Sequence, residues 1–321
     1  MRAFLLTAAS LASLASFASA QDEPTFDQYR AYVAEHQPTR AAGKPTSGEP
    51  LPTPPASAFS IVRYESDVGY QVRPGERSTV ASLGAYLTPD PGDGLRHPAI
   101  VWLTGGETNT LGEVWSPRPW ENDQSAAAYR EAGLVTMFPS LRGGNDNPGR
   151  LEGLVGEVDD VLAATAFLKT VPYVDPDRIY LGGHSTGGTL ALLVAATAED
   201  YAGVVAFGPV ASPHAYPDGT LGVSLPTYPD SEFTTRAPVA WMKDITEPVV
   251  VIEGEDGNAE QVALLRENTP DAAPVRYVMV EGADHFDVLA PANALIAAQI
   301  AAGEAVTVDA SDVAARRAQG H

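Results

Sequence analysis

Cysteine is absent from all 321 residues. That excludes disulfides, thiolate metal sites, a cysteine nucleophile and lipid attachment through an N-terminal cysteine. Lysine is scarce, at Lys44, Lys169 and Lys243, so arginine carries most of the positive charge. Basic residues number 20 against 41 acidic ones, giving a formal net charge of −21. A surface of that sign repels nucleic acid and anionic lipid. Histidine occurs six times, with no H-E-x-x-H or comparable metal-binding spacing. No metal or cofactor is called for.

Long apolar runs are also missing, with one exception at the start. Met1-Arg2 is followed by a small, apolar stretch to Ala18, and Ala18-Ser19-Ala20 is an A-x-A site. Residues 1–20 read as a cleavable secretory signal peptide, with the mature chain beginning at Gln21. The sequence therefore implies a secreted or periplasmic protein with no membrane insertion after cleavage. Its oligomeric state is not legible.

What is present divides into segments. Residues 21–58 form a short N-terminal segment: Phe26, Tyr29 and Val33 fall at helical spacing, and 36–58 holds six prolines without apolar periodicity. Residues 59–303 read as one catalytic domain and 304–321 as a C-terminal tail. Two early β-rich runs, Phe59–Tyr64 and Thr79–Leu87, precede a regular alternation of buried strands and helices. Alternation implies crossover units and a mostly parallel sheet, with helices on both faces and an antiparallel N-terminal edge. That is the α/β class and the layout of an α/β-hydrolase.

A serine hydroxyl needs a base to take its proton and a sharp turn to expose it. Gly183-His184-Ser185-Thr186-Gly187 has the G-x-S-x-G pattern, between a buried strand and a small-residue helix. Ser185 is the expected nucleophile. Elimination among the histidines leaves His285, in the loop after the final strand, as general base. The acid should follow the strand Val249–Ile252, where Glu253, Glu255 and Asp256 stand. Asp256 is the preferred candidate because Gly257-Asn258 continues it as a turn. Two N–H donors for the oxyanion are expected from Thr186 and from the Thr104-Gly105-Gly106 loop, with Gly106 favoured and Glu107 the alternative. Trp115 and Trp120 follow that loop and are candidates for pocket walls. Arg142 is a candidate for binding a substrate carboxylate; pairing with Asp146 or Asp160 is its structural alternative.

Several motifs between Ala99 and Ala301 carry a family resemblance. They are Arg142-Gly143-Gly144, Gly156-Glu157-Val158-Asp159-Asp160-Val161, Val174-Asp175-Pro176-Asp177-Arg178-Ile179, the elbow Gly183–Gly188 and Gly282-Ala283-Asp284-His285-Phe286. The chain resembles the catalytic domains of prolyl oligopeptidase-type and dienelactone hydrolase-type α/β-hydrolases. The resemblance implies a Ser–acid–His triad containing Ser185 and His285. It supports Asp256 less directly, since the family often places the acid where Gly257 stands. Prolyl oligopeptidase-type peptidases also carry a β-propeller, and no blade-like repeat is found here. The expected activity is therefore hydrolysis of a small acyl ester through a Ser185 acyl-enzyme, with short-peptide cleavage as the alternative. A non-catalytic binding protein on the same fold is the competing class.

Overall fold

The computed structural model describes residues 23–36, 43, 48–68, 80–116, 118–197 and 201–320. The leader read over residues 1–20 and the junction at Gln21 lie outside the described residues.

Eight strands form one sheet: β1 (Ser60–Asp67), β2 (Val80–Leu87), β3 (His97–Leu103), β4 (Val135–Pro139), β5 (Val174–His184), β6 (Gly203–Phe207), β7 (Val249–Gly254) and β8 (Val275–Val280). Their order is β1-β2-β4-β3-β5-β6-β7-β8. β1 pairs antiparallel with β2, and β2 with β4; every later pairing is parallel. This is the α/β-hydrolase sheet with its antiparallel edge. The chain reverses direction across the sheet between β4 and β5, which makes the crevice beyond the carboxyl ends of β3 and β5 the natural ligand site.

The central strands are apolar throughout because both faces are covered. Along β3, Val101 and Leu103 enter one core, whereas Ile100 and Trp102 enter the other. The described helices are α1 (Phe26–His36), α2 (Ala127–Glu131), α3 (Glu157–Lys169), α4 (Thr186–Ala195), α5 (Asp230–Thr235), α6 (Ala259–Glu267), α7 (Leu289–Ala302) and α8 (Ala310–Gln319). Helices α1, α3, α4 and α6 bury their apolar residues in the first core, and α2, α7 and α8 in the second.

Helix α1 is part of the domain. Phe26 and Tyr29 pack on Trp241 with ring centroids 5.2 and 5.1 Å away. Asp244 accepts from the Phe26 amide, and Lys243 donates to the Pro24 carbonyl. Within the described part of the proline-rich stretch, residues 48–58, the Pro52 carbonyl accepts from the Tyr86 hydroxyl. The other end differs from the sequence reading. Residues after Gly303 are not a plain tail: α8 buries Val313, and Asp309 caps its first turn by accepting from Ser311 and Asp312 amides. The irregular stretch 209–247 contains α5 and, among others, short 3₁₀ turns at Pro238–Ala240 and Met242–Asp244.

Candidate active site

β5 runs straight into α4 through Ser185, whose backbone adopts φ +56° and ψ −115°. A non-glycine residue with positive φ is strained, and such strain persists only where the surroundings hold it. Here the Ser185 amide donates to the Phe207 carbonyl at 2.7 Å, and the Thr189 amide donates back to the Ser185 carbonyl. The flanking glycines permit the turn: a Cβ at Gly187 would stand 2.7 Å from the Thr104 carbonyl oxygen and would collide with that of Leu103. The outcome is a nucleophile elbow, with Ser185 partly open at the sheet's carboxyl edge.

His285 lies in the loop between β8 and α7. Its Nδ1 is 2.9 Å from Glu253 Oε2. A carboxylate accepts, so Nδ1 carries the proton and Nε2 is left with its lone pair. Glu253 is fully buried at the end of β7 and also accepts from the amides of Gly254 (2.7 Å) and Asn258 (3.0 Å). The imidazole lies over Gly208, just past β6. A Cβ there would stand 2.5 Å from His285 Nδ1 and 2.6 Å from Glu253 Oε2. Because β6 neighbours β5, and Phe207 receives the Ser185 amide, this places the Glu253–His285 pair beside the elbow.

The structure corrects the choice of acid. Asp256 is exposed, and its amide donates to the Ala283 carbonyl; the carboxyl partner of His285 is Glu253. β7 extends two residues beyond the Val249–Ile252 read from sequence, so Glu253 belongs to the strand. Its longer side chain covers the distance that an aspartate in the following turn was expected to cover. Glu255 is exposed and serves the loop, 3.4 Å from the Gly282 amide.

His184, the variable residue of the elbow, is 1% exposed. Its Nε2–H donates to the His285 carbonyl at 3.0 Å, and the two rings lie 4.5 Å apart. Burial, and then the charge of His285, push the His184 pKa from 6.5 down to about 3. His184 is thus a neutral imidazole packed against His285.

The loop after β3 meets the elbow as expected. Thr186 donates its hydroxyl to the Gly106 carbonyl at 2.8 Å and accepts from Thr108 at 2.9 Å. A Cβ on Gly105 would stand 3.2 Å from Ser185 Cβ. Thr186 opens α4, where the first amides have no acceptor four residues earlier. Thr186 and Gly106 therefore remain the candidate oxyanion donors.

The pocket residues fare differently. Arg142 is buried and held through all three nitrogens: it donates to Asp160 through Nε and Nη2, to Glu152 through Nη1 at 2.8 Å and to the Asp67 carbonyl. It cannot meet a substrate. Asp146 pairs instead with Arg63. Glu157 joins the same cluster through Asn109, which also donates to the Arg142 carbonyl. Burial raises the Glu157 and Asp160 carboxyl pKa values, and the Arg142 charge opposes that rise. Trp115 packs edge-on against Tyr86, and Trp120 lies under α8 with the Arg316 guanidinium over its ring. Neither tryptophan lines the cavity of about 310 Å³ beside the oxyanion loop. Its walls include Thr104, Val114 and Pro119.

A model of the prolyl oligopeptidase family (Peptidase_S9) matches residues 120–296, more than half of the chain. The chain belongs to the prolyl oligopeptidase family. Among curated relatives of this family member, dipeptidyl-peptidase 5 of Porphyromonas gingivalis is 34% identical over 108 residues, which is 32% of this chain and 15% of the relative. Among solved structures, a puromycin-hydrolyzing peptidase of Mycobacterium tuberculosis superposes with a TM-score of 0.60 at 19% identity, covering 79% of this chain and 41% of that one. A 2,6-dihydroxy-pseudo-oxynicotine hydrolase gives 0.56 at 18% identity, covering 78% and 71%. The structural likenesses establish the fold. The chain spans well under half the length of the peptidases it matches. Family and fold together make this a serine hydrolase.

Proposed function

We propose that the protein is a serine peptidase acting on short peptides, with Ser185 as nucleophile, His285 as general base and Glu253 as the carboxylate that orients it. The observation that carries the reading is the Glu253–His285 pair beside a strained serine elbow in a chain of the prolyl oligopeptidase family. The ester preference expected from the sequence yields to the peptidase alternative, because the family match and the dipeptidyl-peptidase relative both favour peptide substrates.

In this reading, Ser185 Oγ attacks the scissile carbonyl and His285 Nε2 takes its proton. The amides of Thr186 and Gly106 stabilise the oxyanion. His285 then returns the proton to the leaving amine, and water resolves the acyl-enzyme by the same steps. The buried Glu253 stabilises the imidazolium that forms transiently. A cavity of about 310 Å³ sits at the low end for small-ligand pockets, which suits a few residues of substrate.

The test is a comparison of kcat/KM for aminoacyl-anilides and short peptides with that for short-chain aryl esters, with a serine-reactive phosphonate as a label for Ser185. Peptide or anilide turnover that is lost in Ser185→Ala supports the reading. Esterase activity alone would return the assignment to a carboxylic ester hydrolase. We also propose export through the leader over residues 1–20. N-terminal sequencing of the mature protein should find Gln21 first; an intact Met1 terminus on cytoplasmic protein refutes it.

A further inference from the structure

The cavity beside the oxyanion loop contains both signs of charge. Thr104 lines it and immediately precedes Gly105, which abuts Ser185. Glu113, Arg118, Asn122 and Gln124 also line it. Arg118 donates through Nη2 to the Glu113 backbone carbonyl at 2.7 Å, which fixes one edge of its guanidinium. Among the described residues it has no carboxylate within ion-pair distance. Gln124 donates to the Asn122 side-chain oxygen at 2.9 Å, leaving the Asn122 amide hydrogens for a ligand.

Several described arginines have no carboxylate partner; Arg118 differs from them in lining this cavity. Arg30, Arg63, Arg142, Arg236 and Arg317 all hold carboxylates. The planar fork of arginine matches a carboxylate. A simple anion would be attracted by Arg118 and repelled by Glu113. A ligand with a carboxylate at one end and N–H groups along its length satisfies both.

We propose that this cavity is a subsite for the C-terminal end of a short peptide, in which Arg118 binds a free carboxylate and Glu113 accepts from the peptide's N–H groups. The proposal rests on the peptidase reading above and narrows it to peptides with an unblocked terminus near the scissile bond. The overall negative field still works against polyanionic substrates; the attraction is local to Arg118.

Matched short peptides with a free C-terminal acid or a C-terminal amide test it. Arg118 is exposed, so in the wild-type protein kcat/KM should favour the free acid by about threefold, the scale of an exposed ion pair. In Arg118→Gln the ratio should fall to about one. Equal turnover of the two forms by wild type overturns the subsite. Calorimetry with Ser185→Ala protein gives a reading that does not depend on turnover: the free acid should bind more tightly than the amide, and equal binding overturns the proposal. Hydrolysis of neither form refutes the peptidase reading instead, and the calorimetric comparison still decides the subsite.

Discussion

The Nε2–H of His184 donates to the backbone carbonyl of His285 at 3.0 Å, so the residue just before the nucleophile supports the base from below. The support is specific to a donor at that position on a short, buried side chain. His184→Leu removes it while keeping the volume; His184→Gln keeps an N–H at a similar reach. We expect kcat to fall about tenfold or more in the leucine variant, with KM little changed, and to recover partly in the glutamine variant. Full activity in His184→Leu would rule out a positioning role.

The same residue sets a pH dependence of stability. Its folded pKa of about 3 lies below the ordinary 6.5, so between those values the unfolded chain binds more protons than the native one. Stability therefore rises with pH across that window and is lost as pH falls from about 6.5. Moving from pH 7 to pH 5 should cost about 2 kcal/mol through His184 alone. Urea unfolding at the two pH values should show a smaller loss in His184→Gln than in wild type. Identical losses would mean that the imidazole titrates normally in the fold.

Glu253 and Asp256 are separable by neutral substitutions. Glu253→Gln leaves a side chain of the same shape but without the charge that favours the Nδ1–H tautomer. Its kcat should drop by about 10³- to 10⁴-fold. Asp256→Asn, on an exposed turn residue, should stay within about twofold of wild type. Steady-state kinetics of the two variants settle which carboxylate serves the base, and the reverse ranking would restore Asp256.

Gly208 has φ +55° and lies directly beneath the His285 ring. Gly208→Ala must displace the imidazole or the Glu253 carboxylate. We expect a loss of kcat of at least about a hundredfold, by analogy with small misplacements of reacting groups, in a protein that remains folded by circular dichroism. Retained activity would show that the base is placed without this contact.

Arg142 tests the cluster behind the oxyanion loop. Arg142→Met strands Asp160 and Glu152 without their counter-charge in a buried site. The cost should be about 3–5 kcal/mol in denaturant unfolding. A loss below about 1 kcal/mol would contradict a structural role.

Most of the architecture was legible because strands and helices alternate with distinct periods. β2 (Val80–Leu87) falls within the expected run Thr79–Leu87, and Phe26, Tyr29 and Val33 are buried together on α1. The elbow and His285 were legible for the same reason: each follows a recognisable buried strand. The carboxyl partner of His285 was not, because local turn chemistry favoured Asp256, whereas the contact depends on how far β7 extends and which side chain reaches the loop after β8. Gly208 left no signal at all. Its importance lies in a contact with residues 45 and 77 positions away. Arg142 was ambiguous because Asp146 and Asp160 both lie within reach in sequence, and burial alone decides between exposed Arg63–Asp146 and the interior cluster.

The four tryptophans occupy four different junctions, and that gives the protein a built-in set of optical reporters. Trp241 lies under α1, Trp120 under α8, Trp115 against Tyr86 and Trp102 within the sheet core. Versions that keep one indole each, with phenylalanine at the other three positions, would report separately on release of the N-terminal helix, fraying of the C-terminal helix, movement of the loop beside the nucleophile and melting of the sheet. The order in which those emission changes occur during denaturation would show whether the terminal helices are lost with the sheet or before it.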